Sequence, residues 1–197
     1  MKLLNGMEVT FRDIPTNAWF ARPVASLIQG GIASGYKDPQ GNYTGLFGPA
    51  DKVLNGQMAK LILQLSGADA RAVLGRPVNP TSLGDWSEPY VKWAEDQQIS
   101  FFQTSPDVRH PTPRGAIVES TLQALGIPLN PETTNPFSDL PQSHRYAAAL
   151  LTAHSLGVIK GDSDAQGNLK GTVRPDDILN RAELAAIFAR LAERGCQ

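Results

Sequence analysis

Two arginines stand at positions where they could bind an anion. Arg114 and Arg181 each lie one residue inside the predicted start of an amphipathic helix. A guanidinium group offers a planar fork of N–H donors that matches a carboxylate, and the first turn of a helix leaves backbone N–H groups unpaired. We therefore expect both helix starts to favour a negatively charged ligand.

Two loops rich in Asp, Asn and Gly carry oxygen ligands of the kind that calcium prefers. Asp38 and Asn42 lie in the first loop, and Asp162, Asp164 and Asn168 lie in the second. Their order resembles a calcium-binding loop, but neither loop has the bidentate Glu that would complete such a site. The same residue types are typical of tight turns. We expect turns without a bound metal, and calcium binding is the alternative.

The motifs of common enzyme classes are missing. None of the three histidines lies in an H-E-x-x-H pattern, and the chain has neither a G-x-S-x-G motif nor a glycine-rich phosphate loop. Two acidic residues brought together by the fold, as in glycosidases, are the remaining enzymatic alternative. The sequence predicts no catalytic residue and no cofactor.

Composition excludes several classes of partner. The net charge is −1 and no run of Lys or Arg occurs, so binding to nucleic acid or to anionic lipid is not expected. No apolar segment approaches the roughly 20 residues that cross a bilayer, so membrane insertion is not expected either. The start, MKLLNGMEVT, lacks the apolar stretch of a secretory signal, which indicates a cytosolic protein or the mature form of an exported one. The lone Cys196 cannot form an internal disulfide.

The chain repeats itself. Residues 31–51 align without a gap on residues 157–177, and the 126-residue offset extends to 15 identities over the 55 positions from 11 to 65. Downstream of the loop, both copies place apolar residues at i, i+3, i+4 and i+7, which is one face of a helix. These positions are Met58, Leu61, Ile62 and Leu65 in the first copy and Leu184, Ile187, Phe188 and Leu191 in the last.

A weaker third copy lies between these two. Trp86 precedes Ile99 by thirteen residues, as Trp19 precedes Ile32, and a second helix is predicted within residues 112–127. A unit of about 60 residues buries little apolar surface alone, so the three units are expected to share a core. The repeats are predicted at 11–67, 78–127 and 137–194.

Each repeat has the pattern of helix, long loop and helix. The first helices are predicted at residues 19–29 and 144–155, each ending at a glycine that favours a left-handed C-terminus. In the last repeat, Asn180 is suited to cap the second helix, with Glu183 completing a capping box. Residues 128–136 contain three prolines and are predicted to be a linker. We expect a mainly α chain, with about half of its residues helical and no sizeable sheet.

This pattern resembles the S-layer homology family in three tandem copies. The shared features are an F-x-D start, an aromatic residue about six positions later, a G-[IV]-x-x-G turn, an F-x-P loop and a T-R-A-E helix start. The first repeat has Asn55 where the arginine belongs, the second begins with Val78-Asn79-Pro80, and the third has Arg145 in place of tryptophan. The fullest match is the third repeat, with Phe137, Asp139, Gly157, Gly161, Pro175, Asn180, Arg181, Ala182 and Glu183.

The resemblance implies a fold and a function. The three repeats should form a pseudo-threefold spindle around a central helix bundle. The chain should be a non-catalytic, extracellular anchoring module, attached to other surface-protein domains. It should bind cell-wall polysaccharide in grooves between repeats, either an anionic secondary polymer, often pyruvylated, or peptidoglycan. The implied glycan-binding residues are Arg181, Arg114, Trp19, Trp86, Glu183, Asp139, Asp13, Gly161 and Gly35.

Other interpretations of these residues stay open. Asp13 and Asp139 could fix a turn. Trp19 and Trp86 could belong to the core. Arg181 could pair with Glu183 or Asp177 on a solvated helix end. The alternative function is a protein–protein assembly module of a surface lattice or an adhesin, with or without calcium.

The sequence also predicts the outcome of substitutions at the three matching helix starts. Alanine at Arg181 or Arg114 is expected to weaken wall binding with little change in melting temperature, because exposed charges contribute little to folding. Alanine at Asn55 is expected to change neither property.

Overall fold

The computed structural model describes residues 10–130, 134–164 and 166–195. Regular structure in these ranges is helical, and β-pairing there is limited to isolated bridges, which confirms a mainly α chain. Each α-helix has only 9 to 15 residues and long loops separate them, so the expected helical share of one half is too high. The α-helices are α1 (Ala21–Gln29), α2 (Asn55–Ser66), α3 (Glu88–Asp96), α4 (Arg114–Ala124), α5 (Ala147–Ser155) and α6 (Arg181–Gly195).

One compact unit combines the described residues toward the two ends of the chain, 10–53 and 179–195. Helix α1 packs against α6 and buries Val24, Leu27 and Ile28. Burial of these side chains removes apolar surface from water, which is the main favourable contribution to folding. The predicted apolar face of α6 is confirmed, since its four members, Leu184, Ile187, Phe188 and Leu191, are all buried.

The second compact unit comprises the described residues between positions 54 and 178. Helix α2 packs against α3 and α4, and α4 packs against α5. Of the predicted apolar face of α2, Met58, Leu61 and Ile62 are buried, whereas Leu65 is only partly buried. The helical periodicity therefore identified the buried face in both units.

The first helix of a repeat begins later than predicted. Helix α1 starts at Ala21 and α5 at Ala147, because hydrogen-bonded turns precede them. In these turns the N–H groups of Ala18 and His144 donate to the carbonyls of Pro15 and Pro141. The predicted glycine endings are confirmed, with Gly31 and Gly157 at φ of 70° and 64°.

The predicted capping box of α6 is confirmed. Asn180 Oδ1 accepts the N–H of Glu183 at 2.9 Å, and Glu183 Oε2 accepts the N–H of Asn180 at 3.0 Å. In α2, Gln57 takes the part of Glu183, because its Oε1 accepts the N–H of Leu54 at 3.1 Å. Both second helices thus begin with a side chain that satisfies a backbone donor.

The described residues do not include the first nine residues, Cys196 or positions 131–133 of the predicted linker. The linker residues on either side, 128–130 and 134–136, are not helical. None of the described helices has both the length and the apolar character that crossing a membrane would require.

Helix α4 carries a buried carboxyl group. Glu119 is 9% exposed, and its Oε2 has no hydrogen-bond partner among the described residues. Burial raises the pKa of Glu119, and the charge of Arg145 opposes that shift. The protonated form is therefore favoured in the fold more than in the unfolded chain.

We expect Glu119→Gln to stabilise the protein at neutral pH, by about 1 kcal/mol, because it removes an ionised group that lacks a hydrogen bond. The folded pKa lies above the unfolded value of 4.5, so the contribution of the protonated group is complete below that pH. It is lost as the pH rises through the folded pKa. Urea unfolding at pH 4 and pH 7 measures the difference, with Glu193→Gln on the exposed side of α6 as the control. A gain equal at both pH values would contradict this account.

Candidate functional site

The start of α6 docks on the loop that follows α1. The N–H of Arg181 donates to the carbonyl of Asp51 at 2.9 Å, and the N–H of Ala182 donates to that of Pro49 at 3.0 Å. With the Glu183 N–H bound to Asn180, the first turn has its donors occupied. The expectation that unpaired backbone N–H groups would attract an anion there is therefore wrong.

The side chain of Arg181 is held by backbone carbonyls and aromatic rings. Its Nε donates to the carbonyl of Phe47 at 2.9 Å, and Nη2 donates to that of Ser34 at 3.0 Å. The guanidinium carbon lies 4.5 Å from the centre of the Phe47 ring and 5.0 Å from that of Tyr36. Among the described residues no carboxylate forms an ion pair with Arg181, so the alternative of a pairing with Glu183 is not observed; the charges of Asp51 and Asp13 nevertheless favour its charged form.

The surroundings of Arg181 are partly buried. Burial lowers the pKa of Arg181, yet an arginine stays charged in a protein at any ordinary pH. Tyr36 donates its hydroxyl to Asp51 Oδ2 at 2.7 Å. Burial and this hydrogen bond raise the pKa of Tyr36 to about 12. A Cβ on Gly48 would overlap Asp51 and the Tyr36 ring, so only glycine fits there. We call Arg181, Tyr36, Phe47 and Asp51 the Arg181 cluster.

Asp13 and Asp139 have the same structural role in their two units. The Asp13 carboxylate accepts the N–H groups of Phe47 at 3.0 Å and Gly48 at 2.7 Å. The Asp139 carboxylate accepts those of Val173 at 2.9 Å and Arg174 at 2.8 Å. Each aspartate thereby fixes the loop that leads to a second helix. A glycan contact by either one stays a prediction.

Gly35 and Gly161 are required for packing. A Cβ on Gly35 would overlap the Phe11 ring, and one on Gly161 would overlap the Phe137 ring. Their predicted contact with glycan stays untested. Glu183 has its carboxylate in the capping box, and its predicted glycan contact likewise stays a prediction.

Trp19 and Trp86 are exposed, whereas Trp93 is buried. Trp19 is 64% exposed and packs edge-to-face on Phe20, and Trp86 is 56% exposed beside Tyr90. The interpretation of the two indoles as core residues is therefore wrong. Both rings lie just before a first helix, and a glycan contact by either one stays a prediction.

The start of α4 repeats the docking geometry in the second unit. The N–H of Arg114 donates to the carbonyl of Asp177, and that of Gly115 donates to Pro175, both at 2.8 Å. Here Arg174 binds the Asp162 carboxylate through two nitrogens, each at 2.8 Å. These hydrogen bonds lower the pKa of Asp162, and the charge of Arg114 contributes to that shift.

The start of α2 has the same backbone contacts, but its first side chain, Asn55, is buried and hydrogen-bonded. The N–H of Asn55 donates to the carbonyl of His110, and that of Gly56 donates to Val108, both at 2.9 Å. Asn55 is 3% exposed, its Nδ2 donates to the Asp107 carbonyl at 2.7 Å, and its Oδ1 accepts the Thr112 hydroxyl at 2.7 Å. This geometry favours a loss of stability on Asn55→Ala over the expected neutrality.

The acidic loops are tight turns. Asp38 Oδ1 accepts the N–H groups of Gln40 at 3.0 Å and Asn42 at 2.8 Å. Asp164 Oδ1 accepts those of Gln166 and Asn168 at 2.9 Å and 2.8 Å. Local hydrogen bonds thus use the carboxylates that calcium would need. The described residues contain no group of three or more His, Cys, Asp or Glu that could hold a metal ion.

We expect EDTA to shift the melting temperature by less than about a degree, because these turns are closed by protein groups. Bound calcium would instead stabilise the fold by RT ln(1 + [L]/Kd), about 3 kcal/mol at a hundredfold excess over Kd. Thermal unfolding with EDTA and with added calcium measures this. A calcium-dependent shift would promote Asp38, Asp162 and Asp164 to ligands.

Comparison with known proteins identifies these repeated units. The model of the S-layer homology domain matches residues 10–59 and 136–185, which together form just over half of the chain. The chain belongs to the S-layer homology family. Domains of this family anchor proteins to the cell wall. Arg181 lies inside the second matched region, and its partners Ser34, Phe47 and Asp51 lie inside the first.

A longer relative is also similar to this S-layer homology protein. It is described as an uncharacterized cell wall amidase of Bacillus anthracis and is 24% identical over 187 residues. The similarity covers 92% of this chain and 32% of the relative, so the chain spans about a third of that protein.

Sequence reasoning missed several members of the sites. Ser34 and Phe47 act on Arg181 through backbone carbonyls, which no residue type reveals. Asp51 and Asp177 coincide in the repeat alignment, so a signal for their positions was present. The signal for the Asp162–Arg174 pair was a difference between repeats, because these residues align with Tyr36 and Gly48.

Proposed function

We propose that the chain is a non-catalytic surface-anchoring module that binds cell-wall carbohydrate, either an anionic secondary polymer or peptidoglycan, on the outside of the cell. The observation that carries the proposal is the state of Arg181. Its guanidinium is partly buried and fixed by two carbonyls and two rings, and no described carboxylate forms an ion pair with it, although the charges of Asp51 and Asp13 favour its charged form. A cation in this state gains from an incoming anion.

The Arg181 cluster suits a sugar that carries an acidic group. The two carbonyls orient the guanidinium without cancelling its charge, and no described carboxylate is hydrogen-bonded to it, so a ligand carboxylate or phosphate can pair with it. The exposed Trp19 in the same unit offers an aromatic face for the apolar CH surface of a sugar ring. Affinity comes from these contacts without any chemical step.

We propose three repeats, with the middle one at 78–127, in a pseudo-threefold spindle. The support for the middle repeat is that α2, α4 and α6 each begin with two N–H groups bound to the carbonyls of another repeat's loop. The relative's greater length supports a module that is attached to other surface-protein domains.

A wall-binding assay tests the proposal. Purified cell walls should retain the protein in a sedimentation assay, and walls whose non-peptidoglycan polymer has been extracted with acid should retain much less. Retention that survives the extraction unchanged would indicate peptidoglycan as the ligand. No retention on intact walls, with the protein shown to be folded by circular dichroism, would overturn the anchoring function.

A second candidate function is protein–protein assembly. The second unit exposes several large apolar side chains, which favours contact with another protein. They are Leu74 (82% exposed), Val78 (84%), Leu83 (44%) and Trp86 (56%). Analytical ultracentrifugation distinguishes the two functions, because an assembly module should self-associate in the absence of walls and lose that association when Leu74 and Val78 become serine.

A further inference from the structure

The turn after α3 has the same backbone as the turns after α1 and α5. The N–H of Gln98 donates to the carbonyl of Glu95 at 3.0 Å, and the N–H groups of Gly31 and Gly157 likewise donate to the carbonyls three residues before them. Gln98 has a φ of 56°, in the left-handed region that both glycines also occupy. Glycine adopts this region without strain, whereas glutamine does not. The segment 78–127 therefore keeps the turn but places a polar side chain on it.

The same alignment exchanges two residues that pack on each other. In both matched repeats a phenylalanine ring lies over a glycine, as Phe11 does over Gly35. The corresponding pair in the segment 78–127 is Val78 and Phe102. Phe102 is fully buried, whereas Val78 is 84% exposed. The aromatic ring thus comes from the opposite side of the contact, and the position before α3 is left with a small side chain at the surface.

A cavity of about 220 Å³ lies beside α3 at this exchange. Its lining includes Arg76, Val78, Lys92, Glu95, Phe102 and Gln103. Glu95 and Phe102 are buried, whereas Val78 and Gln103 are exposed, so the cavity opens at the surface. None of the first residues of α2, α4 and α6 lines it. Since pockets for drug-sized ligands are larger, this cavity suits a ligand with a single ring.

Polar groups of the cavity are fixed by the protein. The Glu95 carboxylate accepts the N–H groups of Val78 at 2.7 Å and Asn79 at 2.9 Å. The side-chain amides of Gln98 and Gln103 both donate to the Glu95 carbonyl, at 3.2 Å and 3.0 Å. A ligand would therefore meet polar groups that need little reordering on binding, which reduces the entropic cost of association.

Backbone strain is concentrated at the same cavity. Ser105, another lining residue, has a φ of 51°. Gln98 and Ser105 are two of the three described residues other than glycine that have a positive φ. Strain of this kind persists where the surrounding structure imposes it, and it is frequent at ligand-binding sites.

The charged groups of the cavity are paired within the protein. Lys92 binds the Asp96 carboxylate, and Arg76 binds that of Glu88 at 2.9 Å. An ionic ligand would have to compete with these pairs. A hydroxyl group both donates and accepts, so it can bond to either member of a pair without separating them. The cavity therefore favours an uncharged ligand that carries several hydroxyl groups.

We propose that this cavity binds one neutral sugar residue of the wall carbohydrate, at a site apart from the starts of α2, α4 and α6. The choice of a sugar rests on the proposed function, and the size and paired charges of the cavity select a single uncharged ring. The amides of Gln98 and Gln103 bind its hydroxyl groups, and Val78 contacts its apolar CH surface. A second contact on the same polymer raises retention beyond what one contact supplies.

Titration of the isotope-labelled full chain with glucose, galactose and N-acetylglucosamine, followed by NMR, tests the site. At least one sugar should shift the side-chain amide signals of Gln98 and Gln103 together, with a dissociation constant on the order of millimolar. Gln103→Leu should weaken this binding at least tenfold. The control is Gln97→Leu, in the same turn but outside the cavity, which should leave the binding unchanged within twofold.

Gln98→Gly gives a second readout. Glycine restores the residue of the other two turns and relieves the positive φ, so the melting temperature should not fall, yet sugar binding should weaken at least threefold. A purely structural role for Gln98 would not lower binding in a variant of unchanged stability.

The outcomes separate this site from the anchoring function. No shift in the folded parent at a large excess of every sugar would overturn the cavity site, as would shifts confined to Trp19 or Trp86. Undiminished binding by both Gln103→Leu and Gln98→Gly would also overturn it. Retention of the parent on walls without a sugar response at the cavity would leave anchoring intact. A sugar response without retention would support the cavity site and overturn anchoring.

Discussion

Arg181→Lys should weaken retention on purified cell walls by about ten- to a hundredfold, with a melting temperature only a few degrees lower. A hydrogen bond to a charged group contributes roughly 1.5 to 3 kcal/mol, which corresponds to this range of affinity. Lysine keeps the charge and much of the apolar stem but loses the planar fork. Its single ammonium cannot bond the carbonyls of Phe47 and Ser34 and still present a donor pair to a ligand.

At this position a lysine variant tests ligand binding more specifically than an alanine variant does. Arg181 was expected to be an exposed helix-start residue whose loss would leave stability unchanged. The structure instead shows it bonded to two carbonyls and packed on two rings. Alanine would remove those contacts and leave both carbonyls without their donor, so a loss of binding could then follow from a disturbed loop.

Arg190 provides the matched control. It lies on the exposed side of α6, nine residues beyond Arg181, and Arg190→Lys makes the same chemical change on the same helix. We expect its retention on walls to equal that of the parent. Equal retention of the folded Arg181→Lys variant would remove Arg181 from the site, and binding would then depend on Trp19, Trp86 and the loops.

The helical periodicity and the capping box could be predicted from the sequence because both depend only on residues close together in the chain. The apolar positions of α6 recur every three or four residues, and Asn180 and Glu183 stand three residues apart, so neighbouring residues alone determine these features. The exposure of Trp19 was not readable, because an indole suits a core and a sugar-binding surface equally well.

The backbone contacts at the starts of α2, α4 and α6 could not be predicted from residue types. The N–H groups of Arg181, Arg114 and Asn55 bind loop carbonyls. Every residue type has a backbone carbonyl, so the sequence does not show which carbonyl is bound. Distances along the chain obscure these contacts further, since Arg181 lies 134 residues from Phe47. The sequence could therefore identify which side chains were candidates for an anion site, but the fold determined the partners of each of them.

Asn55→Ala should destabilise the protein by about 2 kcal/mol, in contrast to its expected neutrality from sequence. The side chain is buried, and its amide links α2 to the loop through the Asp107 carbonyl and the Thr112 hydroxyl. Alanine would leave the buried Thr112 hydroxyl without this partner, while the Asp107 carbonyl would keep the N–H of His110, and an unsatisfied buried group costs about 1 to 3 kcal/mol. For a chain of this length the loss corresponds to a decrease in melting temperature of roughly 4 to 8 °C.

Asn55→Asp separates the two hydrogen bonds. The aspartate keeps the acceptor for the Thr112 hydroxyl but places a carboxylate oxygen against the Asp107 carbonyl, where Asn55 Nδ2 now donates at 2.7 Å. Two facing acceptors repel each other, and a buried charge adds its own cost, so this variant should be less stable than Asn55→Ala at neutral pH. Lowering the pH should reduce the difference in stability between the two variants, because a protonated carboxyl can donate to the carbonyl again.

Urea unfolding of both variants at pH 4 and pH 7 measures this difference. Wall retention below the melting temperature should match that of the parent for each variant. An Asn55→Ala variant as stable as the parent would show that the amide does not hold the loop, and a loss of wall binding without a loss of stability would place a ligand at α2.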